Sequence, residues 1–342
     1  MAASSRPTLE SVARQAEVSR QTVSNVLNAP HLVRPDTLER VQAVIAEVGY
    51  RPHRAARTLR TRRSNLLAVP MQPAPVAGAD VLDRFLHALT VEAQARGNQV
   101  LLFAAADDDA EIAVYDELIN DHDVDAFVLT ATHIDDRRTE WLAERNTPFV
   151  TFGRPWGATA RHGWVDVDGA AGCAAATQLM IERGHQRIAF LGWPDGSGVG
   201  DDRRSGYRQA CQAAGLSVEG LERSVVGEVE FGRSAAAELL DSADPPTAIV
   251  CVSDTLALGV WTELTARRMV PGQDVAVIGF DNSMTASVLG LASVAQPLED
   301  AAVACTAMVD AVLSTTEPAA YPPEPVLLKP HLVLRASSGD LR

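Results

Sequence analysis

The spacing of apolar residues divides the chain into a short first part with helical period and a long second part in which apolar runs alternate with amphipathic stretches. Leu9, Val12, Ala13 and Ala16 share one face of a helix from Leu9 to about Gln15, capped by Thr8. Val23, Val26 and Leu27 share a face of a second helix that follows Ser19 as N-cap, with Val18 filling the corner between the two. A third helix, from about Pro35 to Val48, turns Leu38, Val41, Ile45 and Val48 inward and ends at Gly49. Three short helices then make a small core of their own. Left outward at the start of the second helix are Arg20, Gln21, Ser24 and Asn25, long or amide side chains suited to base edges in a major groove. An ordinary surface αα-hairpin is the plainer alternative.

From residue 65 the period changes. Apolar runs at 65–71, 99–105, 125–130 and 149–153 alternate with helical stretches at 81–96, 112–122 and 138–146. The pattern restarts with helices at about 170–183, 203–214, 232–240 and 255–267 and strands at 187–192, 224–229, 248–252 and 275–280. Such alternation indicates parallel sheets covered on both faces, and two similar α/β units in one chain place a cleft between them. A last helix at about 300–313 and an extended stretch at 326–334 predict that the chain crosses back between the units.

Charge sharpens the division. Residues 1–63 hold eleven Arg, no Lys and five Asp or Glu, a balance of +6 in a chain of −14, which leaves −20 for the remainder. The basic unit is suited to a polyanion and the acidic one is not. YRPHRAARTLRTRRS, after the third helix, is basic and helix-capable but has no apolar face, so it is expected to order on its target. Met1 to Arg6 carry no apolar run, and no stretch has the length a membrane helix needs, so the expected compartment is the cytoplasm. Cys173, Cys211, Cys251 and Cys305 are widely spaced, which predicts buried free thiols and no zinc site.

Ligands of parallel sheets sit beyond the carboxyl ends of the strands. The loops there carry Gln72, Arg154, Trp193, Ser253 with Asp254, and Asp281, and the stretch WPDGSGVGDDRRSGYR carries Arg203. An Asp and an Arg facing each other suit a neutral polyhydroxylated ligand, with Trp193 and Phe231 offering flat surfaces for a sugar ring. Each residue also has a plainer role. Asp281 can cap a helix near Asn282, Arg203 can pair with Asp201 or Asp202, Trp193 can be core, and Asp254 is expected to cap a helix at Thr255. GSGVG lacks the Lys-Ser/Thr ending of a phosphate loop and is expected to be a flexible lid. His185 lies in the turn before a strand, and no nucleophile elbow or metal-ligand pair is legible, which argues against an enzyme.

TLESVARQAEVSRQTVSNVLN, the TLERV opening of the third helix and GYRPHRAARTL resemble the DNA-binding head and hinge of the lactose/galactose repressor (LacI/GalR) family, without gaps over about fifty residues. The resemblance implies an all-α helix-turn-helix head at 1–50, a hinge helix or linker at 51–64, and an α/β two-subdomain body of the type I periplasmic-binding-protein kind at 65–342. The subdomains would comprise about 65–163 with 294–323, and about 164–293 with 324–342. Arg20, Gln21 and Asn25 would face bases, while Thr8, Ser19, Ser24, Asn28, Thr37 and Tyr50 would touch phosphates. His53, Ala56, Arg57 and Leu59 fall where the hinge enters the minor groove, with Leu59 as the wedge. Asp281, Arg203, Ser253, Gln72 and Phe231 fall on effector contacts, Ser253 replacing the commoner Asn.

The implied function is a repressor, homodimeric on a palindromic operator of double-stranded DNA and released by a small carbohydrate, with no cofactor, metal or membrane. Corepression by a purine-like ligand, or a sugar-binding protein without regulatory role, are the alternatives. Asn25 stands where the family usually has Arg, which predicts adenine rather than guanine there. Arg34 replaces a Ser cap, and ASSGDLR after the last strand carries no heptads for a tetramerising tail.

Overall fold

The computed structural model describes residues 7–50, 63–71, 79–121, 124–157, 161–314 and 323–339. The chain divides into two units, Met1–Ser64 and Asn65–Arg342.

In the first unit the helices are α1 (Leu9–Gln15), α2 (Arg20–Asn28) and α3 (Pro35–Val48), with a 3-10 turn at Pro30–Leu32. Thr8 and Ser11 form a reciprocal capping box at α1, and Ser19 caps α2. Gly49 ends α3 at φ 64, where a side chain would be strained. Arg34 makes no side-chain cap, as its type predicts. Val12, Ala13, Ala16, Val23, Val26 and Val41 are buried together, joined by Val44 and Tyr50, which the helical face reading leaves out.

The second unit holds two six-stranded sheets. The first contains β1 (Leu66–Met71), β2 (Gln99–Ala104), β3 (Ala126–Leu129), β4 (Phe149–Phe152), β5 (Gly163–Val167) and β11 (Val326–Leu328), ordered β11-β5-β4-β3-β1-β2, all parallel. Side chains alternate across it. Leu67 and Val69 meet Phe85 and Leu89 of α4 (Ala79–Ala95) and Leu298 and Cys305 of α12 (Leu298–Ser314). Ala68 on the other face meets Tyr115 of α5 (Asp108–Asn120) and Leu142 of α6 (Arg137–Glu144). Both faces are covered, which is why the strands read as continuous apolar runs.

The second sheet contains β6 (Ile188–Gly192), β7 (Glu222–Ser224), β8 (Ala248–Cys251), β9 (Ala276–Phe280), β10 (Ala292–Ala295) and β12 (His331–Val333). Its order is β12-β10-β9-β8-β6-β7, parallel except for β10 with β12. It is covered by α7 (Gly169–Glu182), α8 (Gly198–Ala213), α9 (Val229–Leu240), α10 (Asp254–Ala266) and the short α11 (Met284–Leu289). The pair α9 and α10 cross closely at Gly259, where an added Cβ would stand 2.3 Å from the carbonyl oxygen of Val229.

Three sequence expectations change. The crossovers fall a few residues after 163 and 293, since Gly163–Val167 pairs in the first sheet and Ala292–Ala295 in the second, and the final return comes later than 324, because Val326–Leu328 still pairs in the first sheet before His331–Val333 joins the second. The strand expected at 224–229 runs instead at Glu222–Ser224, and Val229, expected to end it, opens the next helix. The GSGVG run is the entry to α8 rather than a lid: Gly196 turns the chain, Ser197 caps the helix and Gly198 to Gly200 open its first turn.

Candidate ligand cleft and nucleic-acid interface

On the first unit, α2 presents a polar edge. Arg20 and Gln21 are exposed and Ser24 and Asn25 half-buried. Gln21 Nε2 donates to Asn25 Oδ1 at 2.9 Å, so the two amides form one unit. Asn28 Nδ2 donates to the Ser24 carbonyl at 2.6 Å. Ser19 Oγ accepts from Thr22 N, and no acidic residue sits in the first turn of α2, which keeps its positive end available to phosphate. Thr8 lies at the start of α1, and Thr37 lies half-buried on the first turn of α3. Tyr50, expected at phosphate, places its ring in the core at 7% exposure, because Val48 and Gly49 turn the chain back onto α3. His53, Ala56, Arg57 and Leu59 lie outside the described residues, as does Gln72 of the second unit.

The second unit holds a cavity of about 240 Å³ between the carboxyl ends of its two sheets. Arg203, from α8, enters it from below. Its Nη1 donates to the Val252 carbonyl at 2.6 Å and stands 3.6 Å from Asp281 Oδ1, and its guanidinium lies over the Phe280 ring. Asp281 follows β9 with φ 109, a backbone region costly for any residue but glycine, and its Oδ1 accepts from Gln296 Nε2 at 2.8 Å. Burial pushes the Asp281 carboxyl up to about 7, against the pull of Arg203. The opposite wall carries Glu111 and Arg138, bonded through Nη1 at 3.0 and 3.1 Å.

Arg154 follows β4 and spans the halves. Its Nε is bonded to Asp166, its Nη1 reaches Asp202 of α8 at 3.4 Å, and its guanidinium lies over the Trp156 ring. Burial raises the Asp202 carboxyl while Arg154 lowers it, and Asp202 Oδ2 accepts from Ala170 N. Among the described residues, Nε1 of Trp156, Nε1 of Trp193 and Nε of Arg203 are buried without a hydrogen-bond partner, and all three residues line the cavity. Buried donors without partners are rare in native structures, so these three call for acceptors from water or from a ligand in the cavity.

The structure therefore brings Arg203, Asp281 and Trp193 together, with Arg154 behind them. Arg203 does not pair with its chain neighbours on the surface; Arg204 does, with Asp195 and Asp201. Ser253 and Phe231 are corrections. Ser253 is fully buried and its Oγ accepts from Leu256 N as the cap of α10, since that helix begins one residue earlier than the sequence suggests. Asp254, expected as that cap, instead accepts from Ser283 N and Ser293 Oγ and ties the ends of β9 and β10 together. Phe231 rides the first turn of α9 at 45% exposure, outside the cavity lining. Trp156, Glu111 and Arg138 also line the cavity and are not legible as such in the sequence, because their partners come from distant segments.

The remaining candidates for chemistry are accounted for by structure. The four cysteines are free and buried, with the Cys173 thiol pushed by burial up to about 12. His185 Nδ1 is 2.9 Å from Thr247 Oγ1, a structural contact. Asp108, His133 and Asp136 bring ligating atoms within 4.8 Å of one another, but Arg138 Nε and Nη2 already bond Asp136.

Residues 8–53 match the family described as bacterial regulatory proteins, lacI family, and residues 177–338 match a periplasmic binding protein-like domain. The transcriptional regulator CelR of Thermobifida fusca is 36% identical over 97% of this chain and 98% of its own. A solved complex of the transcriptional regulator CelR with cellobiose superposes with a TM-score of 0.71 at 31% identity, covering 97% of this chain and 100% of the other. A regulatory protein of the LacI family from Chloroflexus aggregans superposes with a TM-score of 0.74 at 37% identity, covering 80% of this chain and 99% of the other. No helix among the described residues is long and apolar enough to cross a membrane. With a helix-turn-helix head, a two-sheet binding body and a relative similar along nearly its whole length, the chain belongs to the lacI family of bacterial regulatory proteins and is a DNA-binding transcriptional regulator.

Proposed function

We propose that the chain is a repressor that occupies a palindromic operator as a homodimer and is released when a small neutral carbohydrate enters the cleft. The observation that carries this is the cleft floor: a buried Arg203–Asp281 pair flanked by Trp193 and Trp156, with three buried donors that lack partners among the described residues. Carboxylate, guanidinium and indole N–H together suit vicinal hydroxyls, and the aromatic faces suit the C–H face of a sugar ring. The likeness to a regulator solved with cellobiose supports a glucose-containing disaccharide or its relatives. These groups bind rather than react, so the role is recognition and not catalysis, exercised in the cytoplasm where the DNA lies.

In this reading residues 1–50 are the head, 51–64 the hinge and 65–342 the ligand-binding body. Arg20, Gln21 and Asn25 read bases, and Thr8, Ser19, Ser24, Asn28 and Thr37 hold phosphates. The dimer is supported by a partly apolar face around Arg84, where Met284 and Val288 are each 81% exposed and Val91 and Val303 lie alongside. Ligand in the cleft changes the angle between the two copies and separates the paired hinges; a coupling of about 1–3 kcal/mol is enough to change affinity appreciably.

The test is operator binding at fixed salt on a site selected from a random pool, with and without a panel of mono- and oligosaccharides and purines. Release by one sugar supports the proposal. Tightening by a purine reverses the sign of control, and failure to select any palindrome removes the repressor reading.

A further inference from the structure

A second cavity, of about 680 Å³, opens beside the cleft. Its walls include Asp135 in the loop after β3, Thr139 and Glu140 on α6, and Arg161 before β5. The two cavities share Thr132 and Trp156. Trp156 is also one of the residues whose buried indole N–H lacks a partner among the described residues. At about 240 Å³ the inner cavity falls just below the roughly 300–1,000 Å³ of ordinary small-molecule sites, whereas the outer one falls within it.

The outer wall is rich in acceptors. Asp135 and Glu140 form no ion pair among the described residues, while Arg137 is held by Asp109 at 2.6 Å and Asp136 by Arg138 at 2.7 Å. Arg161 on the same wall also forms no ion pair among the described residues, so the outer cavity offers charged acceptors and a charged donor together, a set that suits the hydroxyls of a neutral ligand. The loop that carries Asp135 also holds Ala131, which lines the inner cavity, and both residues take left-handed backbone, at φ 59 and 53. That conformation is uncommon outside glycine, and it brings one loop to both chambers.

We propose that the two cavities form one extended site and that its ligand is a neutral oligosaccharide longer than a disaccharide. The inner units sit at Arg203 and Asp281, the chain passes Trp156, and the outer units lie against Asp135, Thr139 and Glu140. This rests on the carbohydrate reading of the cleft.

The full-length protein is titrated with glucose, cellobiose, cellotriose and cellotetraose, and with the maltose series of the same lengths, followed by tryptophan fluorescence. In the series that binds, affinity rises roughly tenfold from disaccharide to trisaccharide. The double variant Asp135→Ala, Glu140→Ala, both on exposed side chains, lowers trisaccharide affinity to that of the disaccharide and leaves disaccharide affinity unchanged. A trisaccharide that binds no tighter than the disaccharide overturns the extended site, as does a double variant that weakens both alike. If no member of either series binds, the carbohydrate reading itself falls and the outer subsite with it.

Discussion

Arg203 of α8 and Asp281 beyond β9 face each other across 3.6 Å at the floor of the cleft, at 5% and 6% exposure. Each is held from outside the pair, Arg203 by the Val252 carbonyl and Asp281 by the Gln296 amide. Both are therefore fixed in place before a ligand arrives, which limits the ordering cost of binding.

Asp281→Asn keeps the shape and removes the charge. It is expected to cost about 2–3 kcal/mol of sugar affinity, roughly 30- to 150-fold, because hydrogen bonds to a charged group are the strong ones. Operator affinity without sugar should stay at the wild-type value. Titration of the sugar response on operator-bound protein checks this, and an unchanged response would place the ligand elsewhere.

A pH dependence follows from the same carboxyl. Asp281 titrates near 7 in the folded protein and in the ordinary carboxylate range when unfolded. The folded state thus holds the proton more tightly, and the stability this contributes is complete below the unfolded range and lost as pH rises through about 7. Hydroxyl donors from a sugar favour the charged form, so binding should tighten between about pH 6 and about pH 8 and release a proton. Calorimetry in buffers of different ionisation enthalpy measures that proton; Asp281→Asn should abolish it.

Gly198 and Trp156 touch across the cleft. A Cβ at Gly198 would stand 2.2 Å from the indole Cδ2, and the rigid ring has no flexible end to move aside. Gly198→Ala is expected to push the two walls apart at a cost of about 1–3 kcal/mol, reducing sugar affinity by at least about fivefold. Ligand-free operator binding should be spared. Equal sugar affinity in the variant would show that the ligand is held with the walls already apart.

Because Gln21 donates to Asn25 Oδ1, the two amides act as one unit that still presents both N–H groups of Asn25 Nδ2 and the carbonyl oxygen of Gln21. A donor and an acceptor from this set match N7 and N6 of adenine. Selection from a random pool should return adenine at the contacted step, and Asn25→Arg should shift it to guanine with about 1–3 kcal/mol of discrimination. Guanine recovered by the wild-type chain at that step would contradict the assignment.

What the sequence determined by itself is what depends on near neighbours. The Thr8 and Ser19 caps, the apolar face of Val12, Val23 and Val41, and the stop at Gly49 are settled within a few residues, because capping and helical period are local. The alternating α/β pattern and the position of Asp281 just beyond a strand were legible for the same reason. Only the tertiary structure decided which half each short strand joins, since Gly163–Val167 finds its partners in β4 and β11 and nothing in its five residues names them. It also decided between neighbours of equal chemistry: Arg203 turns inward to Asp281 while Arg204 turns outward to Asp195, and Asp202 goes to Arg154 and Ala170. Ser253 and Phe231 left the site because α10 and α9 begin earlier than the strand pattern suggests, and Trp156 entered it because Gly198, in another segment, leaves room for the ring. Contacts between distant segments carry no local period, so the fold has to form before they exist.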